Sequence, residues 1–227
     1  MTYFTINYGF MLILIVITLI AQFYVSSSYK KYSNIENSKG LTGSEVARKI
    51  LDNNDLKDVY VVETKGYLTD HYDPTRKVVR LSTQVFHGTS IASLAVASHE
   101  CGHAIQDKEG YKPMRIRSSL VPITNFASYT GYFAIIIGFI FNSNTFFWAG
   151  IALLCIILLF QLVTLPVEFD ASRRALDKIH KYKMVDGSDL TGSKAMLTAA
   201  AFTYVASLAT TLIQILRLIL LRGSRRD

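Results

Sequence analysis

Three stretches of the chain, Phe4 to Val25, Val121 to Phe141 and Phe146 to Val167, contain no Lys, Arg, Asp or Glu. Each is about as long as the roughly 20 apolar residues a helix needs to cross the hydrocarbon core of a bilayer. The first has no basic flank before it and no small-residue cleavage site after it, so it reads as a retained anchor rather than a removable signal peptide. A fourth stretch, Ala195 to Leu221, is interrupted only by Arg217. Within it Thr203, Ser207, Thr210, Gln214 and Arg217 recur at helical spacing, opposite Leu208, Leu212, Ile215 and Ile219. That stripe predicts a helix lying along the interface or packing its polar face against the catalytic region, which keeps the tail Arg222, Arg225 and Arg226 inside. A full fourth crossing, which exports the tail, is the alternative.

Between Ser26 and Leu120 the pattern changes. Thr42-Gly43-Ser44-Glu45 leads into Val46, Ala47, Ile50 and Leu51, apolar at helical spacing, and predicts a helix ending at Asn53-Asn54. Val59 to Val62 and Lys77 to Leu81 are strand-like, with the turn signal Asp73-Pro74 between them, and together predict a small antiparallel hairpin. Thr89 or Ser90 caps a helix that carries Ile91, Leu94, Ala95, Ala97, His99, His103 and Ile105 and ends near Asp107 to Gly110. Its apolar run is too short to span, and Ser98, Gln106, Asp107 and Lys108 mark a helix beside the membrane rather than within it.

The resulting fold class is mainly α: membrane helices plus a small α+β subdomain of the zincin type, with a short antiparallel hairpin and a metal-motif helix. Along the chain this divides into an anchor (1–27), a motif-bearing region (28–120), a two-span hairpin (121–167), a further helix and loop (168–194), and a C-terminal amphipathic or spanning helix with its basic tail (195–227).

Composition fits a chain largely in lipid: half of the 227 residues are hydrophobic, which is excessive for a soluble domain. The net charge of +7 raises nucleic acid as a partner, but the basic residues gather at the boundaries of the apolar stretches, at Lys30 and Lys31, at Lys112, Arg115 and Arg117, and from Arg173 to Lys183. That is positive-inside patterning, with no aromatic-interleaved basic stripe, and it points away from nucleic acid. Cys101 and Cys155 offer no disulfide framework, one falling inside a motif and the other in mid-span.

The chemistry lies in His99-Glu100-Cys101-Gly102-His103. Residues four apart on a helix stand one above the other, so His99 and His103 can face one tetrahedral metal ion, with Glu100 beside its open position. Zinc, one per chain, is the ion this donor set favours. Glu168 is the best candidate for the third ligand, because two crossings return it to the face of the histidines. The connector Asn142-Ser143-Asn144-Thr145 carries no charge while both site-bearing regions are basic, so the site should face the cytoplasm from a multi-pass plasma-membrane protein. Zinc held by two imidazoles and a carboxylate would activate water for attack on a peptide carbonyl, and Glu100 would move the proton to the leaving amine.

Asp170 competes with Glu168 as a carboxylate, but two residues further along a helix it faces away, and only a late helix start would let it orient a ligand histidine. His180, Tyr182, Arg173 and Arg174 are candidates for steadying an oxyanion. His71 and His87 read as surface or hydrogen-bonding residues. If the strand Lys77 to Leu81 lies on a sheet edge, an extended substrate could pair with it.

Three longer motifs, Tyr67-Leu68-Thr69-Asp70-His71-Tyr72-Asp73-Pro74, Val96 to Gln106 around the histidines, and Glu168-Phe169-Asp170-Ala171-Ser172-Arg173-Arg174-Ala175, resemble the small bacterial family of membrane, or neutral, zinc metallopeptidases. The likeness runs over nearly the whole chain. More distantly the chain resembles the HtpX-type membrane zinc proteases, in which two spans also separate the metal motif from a glutamate ligand. That resemblance implies Glu168 as a gluzincin-like third ligand. In those relatives an aspartate four residues after the glutamate supports a zinc histidine; here that position is Ser172. The implied activity is a membrane-anchored zinc endopeptidase acting on peptide or protein substrates. The alternatives are a metal-stabilised membrane scaffold without catalysis, which Glu100 argues against, and zinc hydrolysis of a non-peptide amide or ester.

Overall fold

The computed structural model of the chain describes residues 3–223. In chain order the elements are α1 (Tyr3–Ser33), α2 (Gly43–Asp52), β1 (Tyr60–Thr64), β2 (His71–Asp73), β3 (Val78–Ser82), α3 (Thr83–His87), α4 (Ile91–Lys108), α5 (Lys112–Ile140), α6 (Asn144–Lys181) and α7 (Gly187–Gly223). They form two compact units. One draws on Met1–Gln22, Ile116–Leu165 and Thr203–Asp227 and, among the described residues, is helical apart from the turn at 141–143; the other is mixed and comprises Phe23–Arg115 and Pro166–Phe202.

In the helical unit α5 and α6 turn back on each other through Asn142, whose φ of 50° is the left-handed conformation asparagine tolerates. Gly138 permits the tight turn: a Cβ there would stand 2.6 Å from the backbone nitrogen of Phe147. Ile135, Phe147, Ile151, Leu154, Ile215 and Leu218 form the core of this unit. Four helices, α1, α5, α6 and α7, are long and apolar enough to cross a membrane.

The last of these is tied at its end to the α5–α6 turn. Arg222 donates to Asn142 Oδ1 at 2.9 Å and Asn144 Oδ1 at 2.9 Å, which pins the end of α7 to the α5–α6 turn. Its guanidinium also lies over the Phe147 ring at 5.6 Å. Arg217 donates to Asn7 of α1 and to Gln214, each at 3.0 Å. Of the polar stripe read from the sequence, Gln214 and Arg217 are therefore engaged within the helical unit, while Thr210 bonds the carbonyl of Ser207 on its own helix. Arg225 and Arg226 lie outside the described residues.

In the mixed unit α2 begins with a capping box: Thr42 Oγ1 accepts from the backbone of Glu45, and the Glu45 carboxylate accepts from the backbone of Thr42. Its apolar face, Val46, Ala47, Ile50 and Leu51, is fully buried against Val79, Leu81, Leu94, Ala97 and Cys101. Ser90 caps α4 by accepting from the backbone of Ser93 at 3.1 Å. Helix α4 is buried along most of its length, which suits its run of Ala, Gly and Ser.

The sheet corrects the expected hairpin. Its order is β1-β3-β2, with β1 parallel to β3 (Tyr60 opposite Val78) and β2 antiparallel to β3 (His71 opposite Arg80). The Asp73-Pro74 signal does close a hairpin, since Asp73 Oδ1 accepts from the backbones of Thr75 at 3.0 Å and Arg76 at 3.1 Å. Its first arm, however, is β2, three residues too short and polar to register as a strand by periodicity. Because β3 is the central strand, it does not lie on the sheet edge that pairing with an extended substrate would require.

Candidate metal centre

The centre is assembled from two helices of the mixed unit. Helix α4 carries His99, Glu100 and His103, and α6 carries Glu168 two residues after Pro166. Gly102, between the histidines, lets the helices meet: a Cβ there would lie 2.5 Å from the carbonyl oxygen of Ala171. A side chain at that position would force the backbone of one helix to shift.

His99, His103 and Glu168 each offer one ligand atom, and these atoms lie within 4.8 Å of one another. The His99 Nε2 is 3.2 Å and the His103 Nε2 3.6 Å from the same carboxylate oxygen, Glu168 Oε2. The rings meet edge to face with centroids 4.7 Å apart. Glu168 is 2 % exposed, and His103 and Glu100 are buried beside it. Burial pushes the His103 imidazole toward its neutral form, but the Glu168 carboxylate and the charge of Glu100 outweigh that and hold its pKa above the ordinary value. Three convergent donors around one point, two of them imidazole, suit a tetrahedral zinc site with one position left for water.

The outward nitrogens of both rings are also engaged. His99 Nδ1 meets Ser172 Oγ at 3.1 Å, and His103 Nδ1 meets Gln106 Oε1 at 3.0 Å. With both Nδ1 atoms occupied, both Nε2 atoms are left facing the glutamate, which is the arrangement a metal site requires. Neither Ser172 nor Gln106 was picked out as a partner of a ligand from the sequence. The available signals were spacings: Gln106 follows His103 by one helical turn and Ser172 follows Glu168 by one turn.

Asp170 does lie off the histidine cluster, as its position two residues after Glu168 predicts. The helix does not begin late, yet Asp170 still connects to the centre, because its Oδ2 accepts from Gln106 Nε2 at 3.0 Å. Arg173 and Arg174 both bind its carboxylate, and Arg174 also pairs with Glu109 at 2.6 Å. Tyr182 donates to the carbonyl of Asn53 at 3.2 Å. His180 is exposed, three turns beyond Glu168 on α6. His71 bonds the carbonyl of Thr69 at 2.7 Å and His87 the carboxylate of Glu63 at 3.3 Å, so neither joins the cluster. Cys101 is buried with its thiol toward the carbonyl of Ala47, and burial pushes its pKa up. Both cysteines are free.

Residues 7–223 match the family described as "Putative neutral zinc metallopeptidase". The chain is 45 % identical over 207 residues to the "Putative membrane protease YugP" of Bacillus subtilis (strain 168), covering 91 % of this chain and 92 % of that protein. No solved structure matches the chain.

Proposed function

The chain belongs to the neutral zinc metallopeptidase family, and from that premise we propose that it is a membrane-anchored, zinc-dependent endopeptidase whose zincin-like centre is His99, His103 and Glu168, with Glu100 as general base. The observation that carries this reading is the convergence of the three ligand atoms to within 4.8 Å, although two apolar crossings separate Glu168 from the histidines in sequence.

His99, His103 and Glu168 would hold one zinc ion through Nε2, Nε2 and Oε2. Zinc in that position supplies a polarised water and a polarised scissile carbonyl. Glu100 follows His99 directly, so it is carried on α4 next to the ligands, where its carboxylate takes the proton from the attacking water. The same carboxylate then delivers that proton to the departing amine nitrogen as the C–N bond breaks. Burial of the centre limits competing water and strengthens each charge interaction within it.

The basic residues around both site-bearing regions and the uncharged α5–α6 turn support a centre that faces the cytoplasm of a plasma-membrane protein. A cytoplasmic centre on α4 and α6 would meet soluble or membrane-tethered polypeptides rather than cell-wall material.

The test is metal content by elemental analysis of the detergent-purified chain, with casein cleavage measured on the same samples. Wild type and Glu100→Gln should each hold zinc near one per chain, Glu168→Ala should be depleted, and only wild type should cleave. Full zinc retention by Glu168→Ala would remove Glu168 from the ligand set. Zinc at one per chain in a wild type that never cleaves would favour the scaffold alternative.

A further inference from the structure

The side-chain amide of Gln106 is wholly buried, and both contacts of its nitrogen face groups of fixed hydrogen-bonding sense. Its Nε2 donates to the backbone carbonyl of Val167 at 2.8 Å and to Asp170 Oδ2 at 3.0 Å. A carbonyl and a carboxylate only accept, so both amide hydrogens are committed and the NH₂ end cannot be exchanged with the oxygen. Turning the amide over would set its oxygen against two acceptors in a buried site. Oε1 is therefore the atom that faces His103 Nδ1 at 3.0 Å.

That orientation dictates the histidine. Oε1 has no hydrogen to give, so Nδ1 must carry one, and the neutral ring keeps its lone pair on Nε2, the nitrogen turned toward Glu168. Asp170 is held as a carboxylate for this purpose by Arg173 and Arg174, and Arg174 is anchored in turn by Glu109. His99 differs. Its Nδ1 meets the Ser172 hydroxyl, which can donate or accept, so that partner leaves the tautomer of His99 open.

We propose that Gln106 and Asp170 are positioning residues that lock the tautomer of His103, Asp170 by fixing the sense of the Gln106 amide and Gln106 by fixing the proton on Nδ1, so that Nε2 is presented ready for zinc. This rests on the reading of the cluster as a zinc centre. The relay runs between α4 and α6, and neither of its members belongs to the cluster of His99, His103 and Glu168.

Zinc affinity of the purified full chain, measured by competition with a chromophoric chelator, tests it without recourse to activity. Gln106→Met removes the amide while filling its volume. Asp170→Asn leaves one oxygen for two guanidinium groups and the Gln106 amide, which frees that amide to turn. Each should weaken zinc binding about 10–100-fold, the usual cost of losing a partner of a ligand histidine. The double variant should lose no more than the weaker-binding single variant, because both act through one proton position.

Glu109→Gln breaks the outer ion pair and leaves the relay itself in place. It should keep wild-type zinc affinity even where the thermal midpoint of the metal-free chain falls, which separates positioning from general destabilisation. Wild-type affinity in Gln106→Met or Asp170→Asn, or losses that add in the double variant, would overturn the proposal. His99→Ala and Glu168→Ala in the same titration report on the centre alone: if they bind zinc as wild type does, the metal-centre reading fails first, and for a different reason.

Discussion

Glu168 and His103 compete for the same proton economy as the metal they would hold. Because the His103 pKa is raised in the metal-free fold, its protonation stabilises that fold fully below the unfolded value, near 6.5, and the contribution is lost as pH rises through the folded value. Zinc requires the neutral ring, so its affinity moves the other way and falls as pH drops through the same window. Chelator competition at pH 8 and pH 6 should show tighter zinc at pH 8. The thermal midpoint of the metal-free chain should carry an opposing increment at pH 6 that is absent in His103→Gln. An affinity that does not change between these pH values would count against His103 as a ligand. Glu100→Gln should lower casein cleavage by about 100-fold or more, as loss of a general base does. At this scale the sequence exposes residues whose chemistry follows from type and spacing, His99, Glu100 and His103. It does not expose Gln106 or Ser172, whose roles depend on what α6 brings opposite them.

The crossing of α4 on α6 concentrates its demands on Gly102. With a Cβ at that position only 2.5 Å from the Ala171 carbonyl, and backbone atoms on both sides, Gly102→Ala should destabilise the chain by about 1–3 kcal/mol. Its zinc content should fall as well, because Glu168 sits one turn from Ala171 on the displaced helix. Calorimetry and elemental analysis on one preparation would check both, and wild-type zinc content in this variant would mean the helices do not need that approach. Thr42→Ala removes the side-chain half of the α2 capping box and should cost about 1 kcal/mol while leaving zinc unchanged. Helices α2 and α4 were legible because caps and periodicity are local. The sheet was not: Val59 to Val62 and Lys77 to Leu81 announce themselves as strands, but their parallel pairing depends on β2, whose three residues carry no periodic signal.

For the whole molecule, the four apolar helices were visible from hydropathy, whereas the partners of the last one lie far away in sequence. Arg217 is matched by Asn7 of α1, and Arg222, which the charge pattern would keep at a basic surface, is satisfied by Asn142 and Asn144 at the turn between α5 and α6. A protease-cleavable tag after Asp227 should accordingly be cut from the side of the membrane opposite to one inserted at Pro74. Cutting of both from the same side would return α7 to the interface. The interval between His103 and Glu168 has one more consequence, for biogenesis. On the proposed reading, a chain leaving the ribosome presents both histidines well before its third ligand, and the hairpin between them must first enter the bilayer and return. A newly made copy would thus be unable to cut its neighbours before insertion, and membrane integration would itself serve as a maturation step.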